Sequence, residues 1–174
     1  MIGAFRLPAL CLAACLIAGC AAEAEVAEAP EPALELTGRV VDAADILSDR
    51  FERDLTAELA QLEEETLVQL VVATTPGLEG RTIEVYALEL GNAWGLGDAE
   101  RNDGLLLLVA PNERQVRINV GLGLEETIRG EEAKIIIDNS MIPHFRRGDY
   151  EAGIAAGVEG LAREVAPFAM EQAA

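Results

Sequence analysis

The feature that most constrains the fold is a run of five consecutive aliphatic residues, Leu105-Leu106-Leu107-Leu108-Val109. A short, continuous apolar run is typical of a strand that is covered on both of its faces. Residues 67–72 form a second run of this kind, nearly continuous and rich in leucine and valine. Residues 116–120 instead alternate between apolar and polar side chains, which predicts a half-buried strand. We therefore expect a sheet with helices packed on its faces.

Helical periodicity fills the segments between and after these strands. Ser48 precedes one such pattern as a candidate N-cap, and Pro143 is expected to end a helix over residues 131–142. Apolar residues spaced three or four apart predict the inner faces of three further helices. These faces are Phe51, Leu55, Leu59 and Leu62; Ile83, Ala87, Leu90 and Trp94; and Ile154, Val158, Leu161, Val165 and Phe168.

The connections between the strands set the topology. A helix separates residues 67–72 from residues 105–109, and a crossover of that length joins parallel strands. The turn at residues 111–114 is short, so residues 116–120 return antiparallel to the second strand. We predict an α/β fold, a three-layer α/β/α sandwich over residues 38–174. Its small mixed sheet has three to four strands and a C-terminal antiparallel strand pair.

The charge of the chain limits its partners. Among 174 residues, 31 are acidic and 13 are basic, which gives a formal net charge of −18. Such a surface repels phosphate backbones, so no nucleic-acid partner is expected, whereas divalent cations and basic proteins are attracted. Hydrophobic residues make up 51% of the chain, enough for a core, and the length corresponds to one folded domain.

The first 19 residues have the pattern of a lipoprotein export signal, with Arg6 followed by a short apolar stretch that ends in small residues. Ile17-Ala18-Gly19-Cys20 resembles a bacterial lipobox, in which the cysteine thiol is acylated. Cys20 is therefore the predicted lipidation site. Cys15 also fits this pattern but would leave too short an apolar stretch before it. An ordinary cleaved signal or a buried apolar helix is the alternative.

Residues 20–37 are rich in alanine, glutamate and proline, which predicts an extended acidic tether. Lipidation at Cys20 would anchor the chain in a membrane on the periplasmic side of a bacterial cell envelope. Ala21 and Ala22 resemble a signal for sorting to the outer membrane. Every cysteine lies at or before Cys20, so the mature chain would have no free thiol for catalysis or for a disulfide.

The predicted topology brings two acidic loops to the same end of the sheet. Residues 95–104 lead into the central strand, and residues 121–126 follow its antiparallel neighbour. Carboxylate and amide oxygens suit Ca²⁺, and the glycines among them allow backbone carbonyls to turn inward. A solvated acidic surface is the plainer alternative, which the spacing alone favours. The candidate cation ligands are Asp98, Asn102, Asp103, Glu125 and Glu126, with Glu100 beside them.

The other acidic residues and the histidine are weaker candidates for a functional site than the loop residues. Asp42, Asp45 and Asp49 surround the start of the first helix, where capping explains them. Asp42 comes after the loop residues as a candidate ligand because the topology puts it at the opposite end of the sheet. His144 is the only histidine, which excludes a His-rich zinc site. The sequence has neither a G-x-S-x-G nucleophile motif nor a P-loop.

Five blocks in consistent order resemble the TPM domain family, which is named for thylakoid-lumen, photosystem II repair and levamisole-receptor modulator members. They are residues 41–48 (VDAADILS), 92–97 (NAWGLG), 102–107 (NDGLLL), 116–125 (VRINVGLGLE) and 143–150 (PHFRRGDY). The resemblance implies an α/β/α sandwich in an extracytoplasmic protein. It also implies recurrent positions at Asp42, Trp94, Asn102, Gly104, Gly121, Gly123 and Glu125. Asp103 stands where the family often has a second asparagine, which adds a negative ligand.

The acidic loops, the tether and the lipobox-like motif lead to three hypotheses for the function. The resemblance adds that some plant members of the family are described as acid phosphatases and that some bacterial members bind calcium. The first hypothesis is a lipid-anchored accessory or adaptor protein that binds Ca²⁺ and an envelope protein, for assembly or repair of a membrane complex. Ca²⁺ is the one expected cofactor, and folding is not expected to require it. The second is an adaptor without a metal. The third is a metal-assisted acid phosphatase in which Asp98 or Asp103 activates water or attacks the phosphoryl group.

Overall fold

The structure, a computed structural model, describes residues 33–172, with side chains described for residues 33–167. The predicted export signal, the lipidation site Cys20 and most of the tether lie outside the described residues, as does the side chain of Phe168. Within residues 33–172, no helix is both long enough and apolar enough to cross a membrane.

Four strands and five α-helices make up the described domain. The strands are β1 (Val40–Asp42), β2 (Gln69–Thr74), β3 (Gly104–Ala110) and β4 (Gln115–Val120). The α-helices are α1 (Asp49–Thr66), α2 (Ile83–Trp94), α3 (Gly130–Ile135), α4 (Ile142–Phe145) and α5 (Tyr150–Gln172). A 3-10 turn spans Leu122–Leu124, and a π-helical segment, Ile136–Met141, joins α3 to α4.

The sheet has the order β1-β2-β3-β4. β1, β2 and β3 are parallel, and β4 pairs antiparallel to β3 with Ile118 opposite Leu107. The predicted parallel pair and its antiparallel return are therefore confirmed. β1, which pairs with β2 through Val41 and Ala73, is the fourth strand, and its position was not predicted.

Successive residues of β3 face opposite layers of the domain. Leu105, Leu107 and Val109 pack with α1, α5 and the α3–α4 region, whereas Leu106 and Leu108 pack with α2. All five residues are at most 1% exposed. A strand made only of aliphatic side chains requires cover on both faces, because either face left in water would forfeit its apolar burial. The predicted three-layer α/β/α sandwich is confirmed.

The apolar spacing correctly predicts α1, α2 and α5. The Ser48 side chain caps α1 by accepting the N–H of Phe51 at 3.3 Å. Trp94, at the end of α2, is half-buried, and its Nε1 donates to the carbonyl of Leu34 at 2.9 Å. The buried residues of the three inner faces are Leu55, Leu59 and Leu62; Ile83, Ala87 and Leu90; and Ile154, Val158, Leu161 and Val165.

The strand predicted over residues 67–72 is displaced by two residues. Leu67 ends α1 in the left-handed backbone conformation, with a φ of 62°. Its N–H bonds to the carbonyl of Glu63 at 2.8 Å, so Leu67 belongs to the helix cap. The strand begins only at Gln69.

The helix predicted over residues 131–142 does not stop at Pro143. The chain passes from α3 into the π-helical segment, where the N–H of Ile142 bonds to the carbonyl of Ile137, and then into α4. Pro143 lies in the first turn of α4. A proline fits in a first turn because the N–H groups there need no partner within the helix. The predicted end is therefore wrong, since the proline starts a new helical segment.

Candidate functional site

The two acidic loops meet where β3 begins and β4 ends. Gly121 donates its N–H to the carbonyl of Gly104 at 2.8 Å, and Gly123 donates to the carbonyl of Asn102 at 3.0 Å. These bonds extend the contact between β3 and β4 beyond the two strands. The loops are therefore neighbours, as the topology predicts.

Glycine is required where these loops touch. A Cβ on Gly123 would overlap the carbonyl oxygen of Arg101, and a Cβ on Gly104 would overlap that of Leu96. Both obstacles are backbone atoms, so neither can swing aside as a flexible side chain would. The two glycines let the chain segments approach closely enough to close this end of the sheet.

Asp103 lies inside the closed loop. It is 0% exposed, its Oδ1 accepts the N–H of Asp98 at 2.8 Å, and its Oδ2 lies 2.5 Å from Nε of Arg101. A buried carboxylate needs such partners because burial strongly disfavours an unpaired charge. The hydrogen bond from Arg101 to Asp103 is also the main reason why the pKa of Arg101 is raised.

Asp98 stabilises the turn that follows it. Its Oδ1 accepts the N–H of Glu100 at 2.9 Å and the N–H of Arg101 at 3.0 Å, and its Oδ2 lies 3.5 Å from Nη1 of Arg101. The backbone N–H of Arg101, followed by that of Glu100, holds the pKa of Asp98 below its ordinary value by stabilising the ionised form. The Asp98 carboxylate is therefore already bonded to N–H groups of its own turn.

Two residues that organise this loop were missed in the sequence. Arg101 stands between acidic residues, and that charge pattern is a signal for the ion pair it makes. Gln69 accepts the N–H of Gly97 on its Oε1 at 2.7 Å, although it lies 28 residues away in the chain. No local sequence pattern indicates that second contact, because it depends on the pairing of β2 with β3.

An open groove of about 1050 Å³ lies along β4, between α2 and the α3 region. We call it the edge groove. Its floor is residues 116–120 of β4. Glu84, Leu88 and Asn92 of α2 line one wall; Ala133, Lys134, Ile137 and Asp138 line the other; and Asn102, Leu122 and Glu125 line the end nearest the acidic loops. The second wall includes part of the π-helical segment, a feature frequently found at functional sites.

Two exposed leucines and a balanced set of charged residues line the edge groove. Leu88 is 52% exposed and Leu122 is 74% exposed, both on the rim. Exposed apolar side chains gathered around a concavity are typical of a binding surface. The charged residues that line the groove are three basic (Arg117, Arg129 and Lys134) and three acidic (Glu84, Glu125 and Asp138), whereas the whole chain has 13 basic and 31 acidic residues.

The predicted cation ligands are divided by the structure. Asn102 and Glu125 line the edge groove, Glu126 is exposed beside them, and Asp98 and Asp103 are bonded within the loop. In the part of the chain that the structure describes, no three His, Cys, Asp or Glu side chains are grouped to hold a metal ion. Ca²⁺ binding by these residues stays a prediction.

Asp42 ends β1 at the opposite end of the sheet, as the topology predicts. Its Oδ2 accepts the N–H groups of Ile46 at 2.9 Å and Leu47 at 2.8 Å, and the hydroxyl of Thr74 donates to its Oδ1. These bonds shape the connection from β1 to α1. Asp42 is therefore not brought together with Asp98 or Asp103.

Fold and site together define a class of protein: a small α/β/α domain in which glycine-rich loops close one end of a mixed sheet beside an open strand edge. The model of the TPM domain matches residues 40–164 of the chain. This protein belongs to the TPM domain family. No curated protein sequence matches the chain significantly.

Solved bacterial structures resemble the domain. The N-terminal domain of a protein from P. gingivalis is 34% identical, with a TM-score of 0.68 over 74% of this chain and 82% of that one. The N-terminal domain of the cg2496 protein from Corynebacterium glutamicum is 19% identical, with a TM-score of 0.59 over 80% and 86%. The BA42 protein from Bizionia argentinensis is 16% identical, with a TM-score of 0.62 over 70% and 83%. The last two similarities concern the fold alone.

Proposed function

We propose that this protein is a lipid-anchored accessory protein of a bacterial cell envelope, and that its TPM domain docks another envelope protein in the edge groove. Cys20 would hold the chain at the periplasmic side of the membrane. Residues 20–32 would allow the domain to reach at most roughly 45 Å from that anchor when fully extended. The domain would thereby find partners that are embedded in, or attached to, the same membrane.

The observation that carries this proposal is the edge groove itself. Ligand-binding clefts commonly enclose about 300–1,000 Å³, and the edge groove encloses about 1050 Å³. It combines the exposed leucines Leu88 and Leu122 with the edge of the last strand in the described sheet. A protein segment could therefore bury apolar side chains and satisfy backbone hydrogen bonds in one place.

Site-specific photo-cross-linking tests the docking function. A photoreactive residue replaces Leu122, on the groove rim, in the full-length chain expressed in its own cells. The matched control carries the same residue at Leu67, which is 51% exposed and does not line the groove. We expect a discrete cross-linked product with a second envelope protein at Leu122 and not at Leu67. Equal labelling at both positions, or none at either, would contradict the proposal.

We further propose a weak Ca²⁺ site at the loop end of the groove, formed by Asn102, Glu125 and Glu126. It is favoured by the position of Asn102 and Glu125 at the same end of the groove, while Asp98 and Asp103 are already bonded. Two carboxylates support only weak binding, on the order of 10⁻⁴ to 10⁻³ M, as in extracellular calcium modules.

Calorimetric titration of Ca²⁺ into the metal-stripped protein tests this site, with Mg²⁺ as the comparison. We expect saturable heat that Glu125→Gln removes and that Asp98→Asn leaves in place. The absence of heat at millimolar Ca²⁺ would rule the site out and leave docking without a metal. If Asp98→Asn removes the binding heat and Glu125→Gln does not, the Ca²⁺ ligands lie inside the loop and not at the groove.

Metal-assisted hydrolysis of phosphate monoesters is the third candidate. It needs a carboxylate of Asp98 or Asp103 to face a substrate. Asp103 is fully buried against Arg101, so it would first have to break that ion pair. We therefore rank docking above hydrolysis. Turnover of a phosphate monoester that disappears in a folded Asp103→Asn protein would reverse this order.

A further inference from the structure

Among residues 33–172, β4 is an outer strand of the sheet, and its second edge faces the edge groove. The N–H of Gly121 bonds to the carbonyl of Gly104, and bonded and non-bonded residue pairs alternate along antiparallel strands. Counting back from Gly121 in steps of two residues, we infer that Asn119 and Arg117 also bond to β3. The intervening residues direct their backbone N–H and C=O groups away from β3, toward the groove. They are Val116, Ile118 and Val120.

A strand placed on this edge would direct alternate side chains to two different walls. Val116, Ile118 and Val120 pack with the core on the side of α1 and α5, where the groove wall includes Ala133 and Ile137. Arg117 and Asn119 face the other side, since successive strand residues alternate and Asn119 approaches Gly91 of α2. Alternate side chains of such a strand would therefore face Ala133 and Ile137 on one side of β4, and Arg117 and Asn119 on the other.

The charges favour a particular occupant. Arg117 and Arg129 are both exposed and line the groove. An acidic side chain facing Arg117 would be attracted by its guanidinium, which otherwise has Glu84 of the α2 wall as an acidic neighbour. A second copy of this chain is a poor occupant, because it brings a further net charge of −18 against a molecule that already carries −18.

We propose that the edge groove binds an extended segment of an envelope protein as a fifth strand on β4. The segment has apolar side chains toward Ala133 and Ile137 and an acidic side chain opposite Arg117. This inference rests on the docking function proposed above and specifies how the partner binds. In such strand addition, main-chain hydrogen bonds supply affinity, and the pockets for alternate side chains supply specificity.

A proline on β4 tests this arrangement. Val116→Pro removes an N–H that faces the groove while leaving the bonds to β3 intact, and edge strands tolerate such a proline. Val116→Ala makes a similar loss of side chain but keeps the N–H. Both changes are made in the full-length chain with the photoreactive residue at Leu122. We expect Val116→Pro to reduce the cross-linked product by about tenfold and Val116→Ala to reduce it by less than about twofold.

A second pair of variants, Val120→Pro and Val120→Ala, repeats the comparison at the other end of β4. The melting temperature of each variant shows whether it folds. The comparison between proline and alanine is then read at the position, Val116 or Val120, where both variants are folded. Equal cross-linking in a folded proline variant and its alanine control would overturn strand addition while the docking function stands. If the parent protein, with the photoreactive residue at Leu122 and no other change, gives no cross-linked product, both strand addition and the docking function are overturned.

The charge of the occupant is tested at Arg117. Arg117→Glu is expected to reduce the product by about tenfold, because like charges would face each other, whereas Arg117→Lys keeps it within about twofold. An unchanged amount of cross-linked product with Arg117→Glu would overturn the proposal that the bound segment is acidic at this position. A product with twice the mass of this chain, free of any other protein, would identify a second copy and overturn it as well.

Discussion

Asp103 holds one carboxylate oxygen 2.5 Å from Nε of Arg101, at a position with no solvent exposure, and its other oxygen accepts the N–H of Asp98 at 2.8 Å. Asp103 and Arg101 lie two residues apart, so the loop closes on its own ion pair. At the end of the sheet where β3 begins, the negative charge of the buried Asp103 is therefore neutralised within the loop itself.

The buried ion pair predicts a graded loss of stability at Asp103. Asp103→Ala leaves the N–H of Asp98 without its acceptor and leaves Arg101, which is partly exposed, with Asp98 as its remaining carboxylate partner, so the expected cost is about 2–3 kcal/mol. Asp103→Asn keeps an oxygen acceptor and should cost only about 1–2 kcal/mol. Denaturant unfolding measures both values. Asp54→Ala, an exposed change on α1, is the control and should stay within about 0.5 kcal/mol. A folded Asp103→Ala protein that loses no more stability than the Asp54→Ala control would contradict the bonds assigned to Asp103.

The depressed pKa of Asp98 predicts a dependence of stability on pH. Because the folded pKa lies below the ordinary value of 3.8, ionised Asp98 stabilises the fold above that value. This contribution is lost as the pH falls through 3.8 toward the lower folded pKa. Between about pH 5 and about pH 3, the parent should lose more unfolding free energy than Asp98→Asn does. Glu58→Gln, exposed on α1, is the control, and an equally steep loss in Asp98→Asn would contradict the assignment.

The contact between the loops predicts that Gly123 cannot accept a side chain. Gly123→Ala drives its Cβ into the carbonyl of Arg101 and should cost about 1–3 kcal/mol, as overpacking against backbone does. Gly130→Ala, which meets no atom within 4 Å, is the matched control and should be neutral or slightly stabilising. Thermal unfolding of both variants checks the prediction. A neutral Gly123→Ala would contradict the close approach of Gly123 to the carbonyl of Arg101.

The proposed lipid anchor at Cys20 leads to a test that distinguishes it from Cys15. Cys20→Ala should remove lipidation and move the protein from the membrane fraction to the soluble periplasmic fraction. Cys15→Ala should leave it in the membrane fraction. Fractionation after metabolic labelling with a fatty acid measures both effects. Retained label in Cys20→Ala with loss in Cys15→Ala would place the anchor at the other cysteine.

The fold was predictable to the extent that strong local patterns determine it. Residues 105–109 predict a doubly covered central strand because every side chain is aliphatic, and the apolar spacing of α1 and α5 predicts their inner faces. β1 has only three residues, too few for a periodic pattern to be evident. The π-helical segment was missed because Pro143 is equally compatible with the end of one helix and the start of the next.

The site was predictable only in outline. Topology correctly brings the two acidic loops together, but the burial of Asp103 depends on how Arg101 folds back over it. The edge groove has no local signature, since its walls come from α2 and α3, which are separated along the chain by β3 and β4. The exposure of Leu88 and Leu122 likewise becomes evident only once these elements are packed.

Amide hydrogen exchange of β4 in native membranes tests the docking of a protein on this edge most directly. We expect peptides that cover residues 115–121 to exchange at least about tenfold more slowly in membranes than in protein purified in detergent. Peptides that cover β1, the other outer strand of the described sheet, should exchange equally in both. Equal exchange of residues 115–121 in the two preparations would contradict the docking of any partner on β4.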